Sequence, residues 1–589
     1  MAVRRRVLIV LAVLLGVLLV LAGWLAVRVA QAAGALRDLQ AAADGARPEV
    51  DALDVTALSA RLPAAQDAAH RAADAADDPV WRAATHLPFV GDDLAAVGAV
   101  ARAADALTRD AAPDLLAAAQ ALTGPAPSPT TTPRGWVDLT ALADAAPAVS
   151  RAAAVLDGLR DDLDRHDPAD LVGPVAGPVT TLRDALSGDA LRSVQDLADV
   201  LPALLGADGP RTYLLLSLNP AELRAQGGIV GAVAVLQVRD GAVGLVGQRS
   251  TADLPERPAS VLPLTEAEHA LHGDRLGRWV QDTVLSPDFP RAAQLAAAFW
   301  TASTGQPVDG VLATDPVVVA DVLAATGRTV TADGREIGGD ALLAALLRDA
   351  YLGYGDPRSG DAFYAQVAAA AFGVLADALA DPAAARSVLP AVADAVAERR
   401  VLAWSAVPAE QARLAASPLG GAFLSGDAPT PTGDVGGAVG VFLDDATAGK
   451  LGYDLDVAVG VTLSGCDEDV PVATVTVRLD FRPPGDVTTY PAQVLGDGSS
   501  ALPPGWLATN VSFYGARDGS VGGVLRDGAA VGGPAAREAR RPVVGLTSRL
   551  APGAGEEYVL TVPAPGGALT VWSTPTLAGP GVTSASCAG

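Results

Sequence analysis

The sequence predicts a multidomain chain: an N-terminal transmembrane helix and helical stalk, a central α/β sheet module, and a C-terminal β-sandwich of immunoglobulin-like type. Three observations predict it. An apolar run without a single charge, Val7–Val27, opens the chain. Within Arg211–Ser250 three short apolar runs are bounded by Gly, Pro, Asn and Asp, and strand-like and helix-like stretches alternate after them. Beyond residue 457, strand-like runs recur between Gly and Pro turns, which is the spacing of a sandwich. At 589 residues the chain is too long for one core. Its parts read as 1–30 (cytoplasmic tip and transmembrane helix), 31–206 (stalk), 207–400 (α/β module), 401–456 (connecting region) and 457–589 (sandwich).

Half of the residues are hydrophobic and 19% are charged, a composition that folds. Much of the hydrophobic half is alanine, which favours helix because it loses no side-chain entropy there. A GC-rich coding bias accounts for the Ala, Gly, Pro and Arg content equally well. The net charge is −25, and without Arg4–Arg6 the chain carries 39 basic against 67 acidic residues. Such a surface repels nucleic acid and anionic lipid, so a nucleic-acid partner is excluded.

The 21 residues of Val7–Val27 span roughly 30 Å as a helix, the thickness of a bilayer's hydrocarbon core. Arg4–Arg6 precede the run and Trp24 stands near its far end, so the lipid bilayer is the expected partner of this helix. The N-terminus is expected in the cytoplasm and the bulk outside, in a single-pass topology. A cleaved signal peptide is the rival, with Ala30-Gln31-Ala32 as its site. The apolar run exceeds the usual length of such peptides, and Arg28 intervenes. Either reading exports the rest of the chain. In that compartment Cys466 and Cys587, the two cysteines present, are expected to pair and to pin the C-terminal tail, with two separate buried thiols as the alternative.

Residues 30–123 alternate Ala, Arg, Asp and Leu in the manner of stalk helices, with a break at Trp81–Gly91. Asp92 or Asp93 can cap the helix that follows, and Trp81, Pro88 and Phe89 read as a packed corner between helices rather than a functional loop. Gly124–Pro133 is a linker by composition. Val149, Ala152, Leu156, Leu159 and Leu163 then form a helical seam, and Leu182–Leu205 is a further amphipathic segment.

In the α/β module, Tyr213–Leu218, Ile229–Val238 and Ala242–Gln248 read as strands, with Arg239-Asp240-Gly241 as a hairpin turn. Glu222 and Arg224 therefore sit on a loop at the end of a buried strand, where α/β proteins place their sites. Asp253 ends the third strand. A helix over Arg291–Thr304 opens on Pro290, Gln306–Ala313 is a buried strand, and Asp315-Pro316 starts a helix that Gly327 ends. This alternation predicts a sheet with helices on both faces.

The runs YLLLSLNPAELRAQGG, SPDFPRAA, TGQPVDGVLATDPVVVADVLAATG, DAFYAQ and GVFLDDATAGKLGYDLD, in this order, closely resemble the bacterial family known as domain of unknown function 4012. WRAATHLPFVGDDL and the anchor fit it too. That resemblance implies an anchored, extracytoplasmic protein of a Gram-positive-type envelope, without an established activity. Residues 210–380 also resemble the LytR-CpsA-Psr phosphotransferases, which move glycopolymers from polyprenyl pyrophosphate carriers onto the cell wall. This second resemblance implies Arg224 as a phosphate contact and Asp253 as a holder of a divalent cation such as Mg²⁺. The chain departs from those enzymes after Asp361, where Ala362-Phe363-Tyr364-Ala365-Gln366 stand in place of arginines. Charge stabilisation of a pyrophosphate is weaker without them.

The candidate ligand-binding residues are thus Glu222, Arg224, Asp253 and Asp282, with Asp288 and Asp315 as further acids that either line the same cleft or cap helices. Glu222 and Arg224 could equally be a structural ion pair. His269 and His272 form an HxxH without further ligands in view, and no G-x-S-x-G or catalytic cysteine is present. The reading is a membrane-anchored envelope protein that binds or scaffolds an envelope glycopolymer, a phosphorylated lipid carrier or an envelope protein. A divergent phosphotransferase and a purely structural assembly protein are the alternatives.

Overall fold

The computed structural model describes residues 2–52, 54–123, 139–167, 170–185, 199–354, 357–379, 382–430, 433–496 and 502–587. The chain forms two compact units, Met1–Gly124 with Thr140–Asp199, and Pro125–Leu139 with Val200–Gly589. The linker expected at Gly124–Pro133 and most of Leu182–Leu205 lie outside the described residues.

The first unit is helical. Its first helix, α1 (Ala2–Asp51), runs unbroken from the apolar run into the stalk, and is long and apolar enough at its N-terminal end to cross a membrane. Leu15, Leu18, Val20 and Trp24 project from it uncovered. Below that stretch the helix turns to alanine: Ala32 and Ala35 pack against Ala72, Ala75 and Ala76 of α2 (Val55–Ala76). Side chains this small let two backbones approach closely, so dispersion rather than bulk holds the pair. The helices are antiparallel, as the Arg71–Asp38 and Arg61–Glu49 ion pairs at 2.9 and 2.6 Å show. After α2 come α3 (Pro79–Ala84) and α4 (Gly91–Ala106), then a π-turn, α5 (Ala112–Thr123), α6 (Leu139–Leu163) and α7 (Gly173–Ala185). Helix α6 also reaches membrane-spanning length, but a third of it is buried, as in a soluble core helix.

The second unit begins with β1 (Arg211–Asn219), β2 (Ile229–Arg239) and β3 (Ala242–Ser250). Between β2 and β3 the turn takes Asp240 and Gly241 at φ 51° and 80°, the left-handed pair that a tight hairpin needs. β4 (Gly310–Thr314) joins β1 in parallel, a small hairpin β5 (Val330–Ala332) and β6 (Arg335–Ile337) follows, and β7 (Leu402–Ser405) closes the far edge. The strand order is β3-β2-β1-β4-β7. Leu214, Leu216 and Leu218 face the helix Phe289–Thr304 through Phe289, Phe299 and Trp300. On the opposite face Tyr213, Leu215 and Leu312 meet Phe372 of the helix Pro357–Leu379. The period-two alternation of β1 thus fills two cores at once.

After a two-residue hairpin, β8 (Pro429–Thr430) and β9 (Gly433–Asp434), two stacked sheets follow. Their strands are β10 (Val439–Asp445), β11 (Leu455–Ser464), β12 (Val472–Phe481), β13 (Leu507–Tyr514), β14 (Val524–Arg526), β15 (Ala529–Val531), β16 (Ala535–Glu538), β17 (Arg541–Leu550), β18 (Gly555–Pro563), β19 (Ala568–Ser573) and β20 (Val582–Ser586). One sheet runs β16-β17-β13-β10-β19-β20 and the other β11-β12-β18-β14-β15. Val441, Leu443, Val475, Val477, Val511, Phe513 and Leu560 share the core between them. One expectation changes here. β10 lies in the middle of the larger sheet and pairs in parallel with β19, so residues 401–456 contribute a central strand rather than a mere connection. The layers are therefore a two-sheet stack, and an immunoglobulin-like arrangement is not confirmed. Cys466 and Cys587 form a disulfide. They follow β11 and β20, edge strands of the two sheets, so the bond clips the sheets together along one edge.

Candidate functional site

The loop joining β1 to β2, Asn219–Gly228, is buried along its whole length. Loops ordinarily run over the surface because their backbone groups need partners. Here the partners are supplied by the β-stack. The Asp445 N–H donates to the Leu223 carbonyl at 2.8 Å and the Gly452 N–H to that of Ala221 at 3.0 Å. The Ala225 N–H donates to Asp444 Oδ1 at 3.1 Å. Leu223 belongs to the core of the stack, and Ala225 packs with Phe423, Phe442, Tyr514 and Trp572. The loop is a plug driven from the α/β sheet into the stack. It closes on Gly228, where a Cβ would lie 2.3 Å from the Asn219 carbonyl, so only glycine permits the return into β2.

Inside the plug the charges neutralise one another. Arg224, 3% exposed, donates from Nη2 to Glu222 Oε1 at 3.0 Å and to Asp282 Oδ1 at 3.3 Å. Its Nη1 donates to the Leu223 carbonyl at 2.9 Å. Arg275 forks onto the same Asp282 at 2.9 and 3.1 Å, and Lys450 donates to the other oxygen of Glu222. Burial alone would push the Arg224 guanidinium down, but Glu222, Asp282, Asp445 and Asp444 together hold its pKa above the ordinary value. For the two acids of β10 burial wins instead. Burial lifts Asp444 to about 7 against the pull of Arg224 and Arg275, and burial with the nearby Glu222 charge lifts Asp445 to about 6.

The structure therefore brings together Glu222, Arg224 and Asp282 and leaves Asp253 elsewhere. Asp253 ends a 3₁₀ turn, Thr251–Asp253, after β3, and is exposed. Asp288 and Asp315 do not share a cleft with the cluster. Asp288 Oδ1 accepts from the Leu424 and Ser425 backbone N–H groups at 2.9 and 3.1 Å. Asp315 caps the helix Pro316–Thr326 and pairs with Arg400 at 2.9 Å. His269 meets Asp274 at 3.1 Å, and burial holds the His272 imidazole down to about 4 and neutral. Among the described residues no group of three or more His, Cys, Asp or Glu is placed to hold a metal. Sequence reasoning missed Arg275, Asp444, Asp445 and Lys450. One signal was available: Lys450 is the only lysine among 42 basic residues.

Fold and site together define a chain with a long apolar N-terminal helix, a helical unit, and a mixed α/β sheet locked into a two-sheet stack by a buried ionic plug. Residues 208–351 match the family described as Protein of unknown function (DUF4012), which supports the resemblance drawn from the motifs over that stretch. The match covers Glu222, Arg224, Asp253 and Asp282 and ends before the β-stack that supplies Asp444, Asp445 and Lys450. No curated protein and no solved structure matches the chain, and nothing in the comparisons supports the likeness to LytR-CpsA-Psr enzymes.

Proposed function

We propose that the chain is a membrane-anchored, extracytoplasmic envelope protein whose α/β sheet and β-stack act as one binding or scaffolding body. The observation that carries this reading is the plug. Every residue of Asn219–Gly228 is buried, and the charges of Glu222, Arg224 and Asp282 are committed to one another, to Arg275 and to Lys450. Such an arrangement suits a fixed joint between two layers. A glycopolymer or phosphorylated lipid carrier would then be held by the outer surface of the body.

The phosphotransferase alternative asks Arg224 to face a substrate phosphate and Asp253 to hold the cation beside it. Exposing Arg224 would require expelling the plug and leaving Glu222 and Asp282 as uncompensated buried charges, each costing several kcal/mol. The test is to give the full-length protein in vesicles a polyprenyl-pyrophosphate-linked glycan with Mg²⁺. No glycan transfer is expected, and Arg224→Gln should change only the melting temperature. Transfer by the wild type that Arg224→Gln abolishes while still folded would establish the enzyme instead. Retention of the same glycan on immobilised protein separates the binding role from a purely structural one.

A further inference from the structure

The turn between α2 and α4 carries the most exposed aromatic side chain in the described chain. Residues His86–Val90 are exposed in succession, with Leu87 at 51%, Phe89 at 99% and Val90 at 47%. Of the three residues read as a packed corner, Trp81 fulfils the expectation: it is 1% exposed and donates from Nε1 to the Leu94 carbonyl at 3.0 Å. Phe89 does the opposite. It holds φ at 73°, a backbone region that bulky residues avoid. The segment is nevertheless built: the Gly91 N–H donates to the Leu87 carbonyl at 3.0 Å, and a Cβ at Gly91 would lie 2.3 Å from the Thr85 carbonyl. Water alone gives such a turn no reason to present three apolar side chains outward.

Its position supplies the reason. α2 runs antiparallel to α1, and α4 returns antiparallel to α2, with Gln66 bonded to the Thr108 carbonyl at 3.0 Å and Arg102 beside Asp77 at 3.6 Å. The α2–α4 turn therefore lies at the end of the helical unit nearest the apolar run of α1. Asp78, which caps α3, fixes the level. It accepts from Trp24 Nε1 at 3.0 Å and from Arg28 Nε at 3.1 Å. Trp24 and Arg28 bracket the end of the apolar run, where a spanning helix passes from hydrocarbon to water. Leu25, Trp81, Leu94 and Val97 pack in one cluster at the same height.

We infer that Leu87, Phe89 and Val90 dip into the interfacial layer of the bilayer that α1 enters, as a second membrane contact beside the anchor. The inference rests on the anchor reading of α1. Exposed Arg82 and His86 on one flank and exposed Asp92 on the other leave the turn near charge balance, and the chain as a whole is strongly acidic, so the turn takes a zwitterionic rather than an anionic surface. Two contacts set in one rigid corner would fix the tilt of the helical unit against the membrane, where a lone helix would leave it free to swing.

The native cysteines are joined, so one added thiol can be labelled alone. The full-length chain is reconstituted into phosphatidylcholine vesicles with an environment-sensitive fluorophore at Phe89→Cys, at Val13→Cys within the anchor, or at Asp44→Cys far along α1. Lipids spin-labelled near the headgroup should quench the probe at 89 at least threefold more than that at 44, with blue-shifted emission, and lipids spin-labelled deep in the acyl chain should quench the probe at 13. A probe at Leu87→Cys should lose at least half of its quenching when Phe89→Ser is added, which excludes insertion driven by the dye. Quenching at 13 with 89 indistinguishable from 44 would overturn the inference and leave the anchor standing. No quenching at 13 would overturn the anchor itself and the inference with it. Blue-shifted emission at 89 without lipid quenching would mean that a protein covers the turn, and would also overturn it.

Discussion

At the scale of single residues, the plug shows why a buried charge is expensive to remove. Glu222 is held between Arg224 and Lys450. Lys450→Met leaves it one cation short and should cost about 2–3 kcal/mol, less than a fully buried pair because the lysine is 17% exposed. Glu222→Gln added to Lys450→Met should recover part of that loss, since the pair is then removed together. Equilibrium urea unfolding of the second unit reads both, and a double variant weaker than the sum of the singles would count against the ion pair. Phe89 makes the opposite case. Phe89→Gly frees a left-handed backbone and touches no packed neighbour, so the helical unit should gain about 1 kcal/mol and melt a few degrees higher. A fall in melting temperature would show that the ring packs against something.

Protonation at Asp444 belongs to this scale too. Its folded pKa is raised to about 7 from an ordinary 3.8, by burial first. The folded state therefore binds the proton more tightly than the unfolded one. The stabilisation is fully present below the unfolded pKa and is lost as pH rises from about 4 to 7. His272, lowered to about 4 by burial, works the other way, destabilising as pH falls from 6.5. Asp444→Asn keeps an acceptor for the Ala225 N–H but cannot ionise. Its stability should be flatter than wild type between pH 4 and 7, with the gap in its favour widening towards pH 7. Parallel curves would mean that Asp444 stays charged.

At the scale of elements, the disulfide does more than tie down a tail. It joins the ends of β11 and β20, which edge different sheets, across a sequence separation of 121 residues. Reduction, or the pair Cys466→Ser with Cys587→Ser, should cost the β-stack up to roughly 4–5 kcal/mol in the chain-entropy account. Cys466 is exposed, so reductant can reach it. Urea midpoints with and without reductant measure the effect, and an unchanged midpoint would mean that the stack closes equally well without the clip. The strands themselves were legible in the sequence. β12 and β19 fall among the strand-like runs expected beyond residue 457, and β1 to β3 differ from expectation by a residue or two. Asp315 and Gly327 cap the helix between them as their chemistry requires. Local pattern sufficed because each of these elements buries a face that its own periodicity defines.

At the scale of the whole molecule, what the sequence by itself determined was the local order of the chain. It marked the uncharged run that α1 now carries, the hairpin at Asp240-Gly241, the alternation of strand and helix, and the two cysteines that pair. Each depends on residues adjacent in the chain or on there being no other candidate. Tertiary structure decided the rest. The loop after β1 was recognisable as a site position, yet its role as a plug depends on Asp444, Asp445 and Lys450, more than two hundred residues away. The same holds for β10, whose place at the centre of a sheet comes from β13 and β19 rather than from its own residues, and for Phe89, whose exposure follows from how α2 and α4 turn. Periodicity reports what one segment wants to bury. Which partner covers it, and whether a charge meets water or another charge, is fixed only when distant segments compete for the same space.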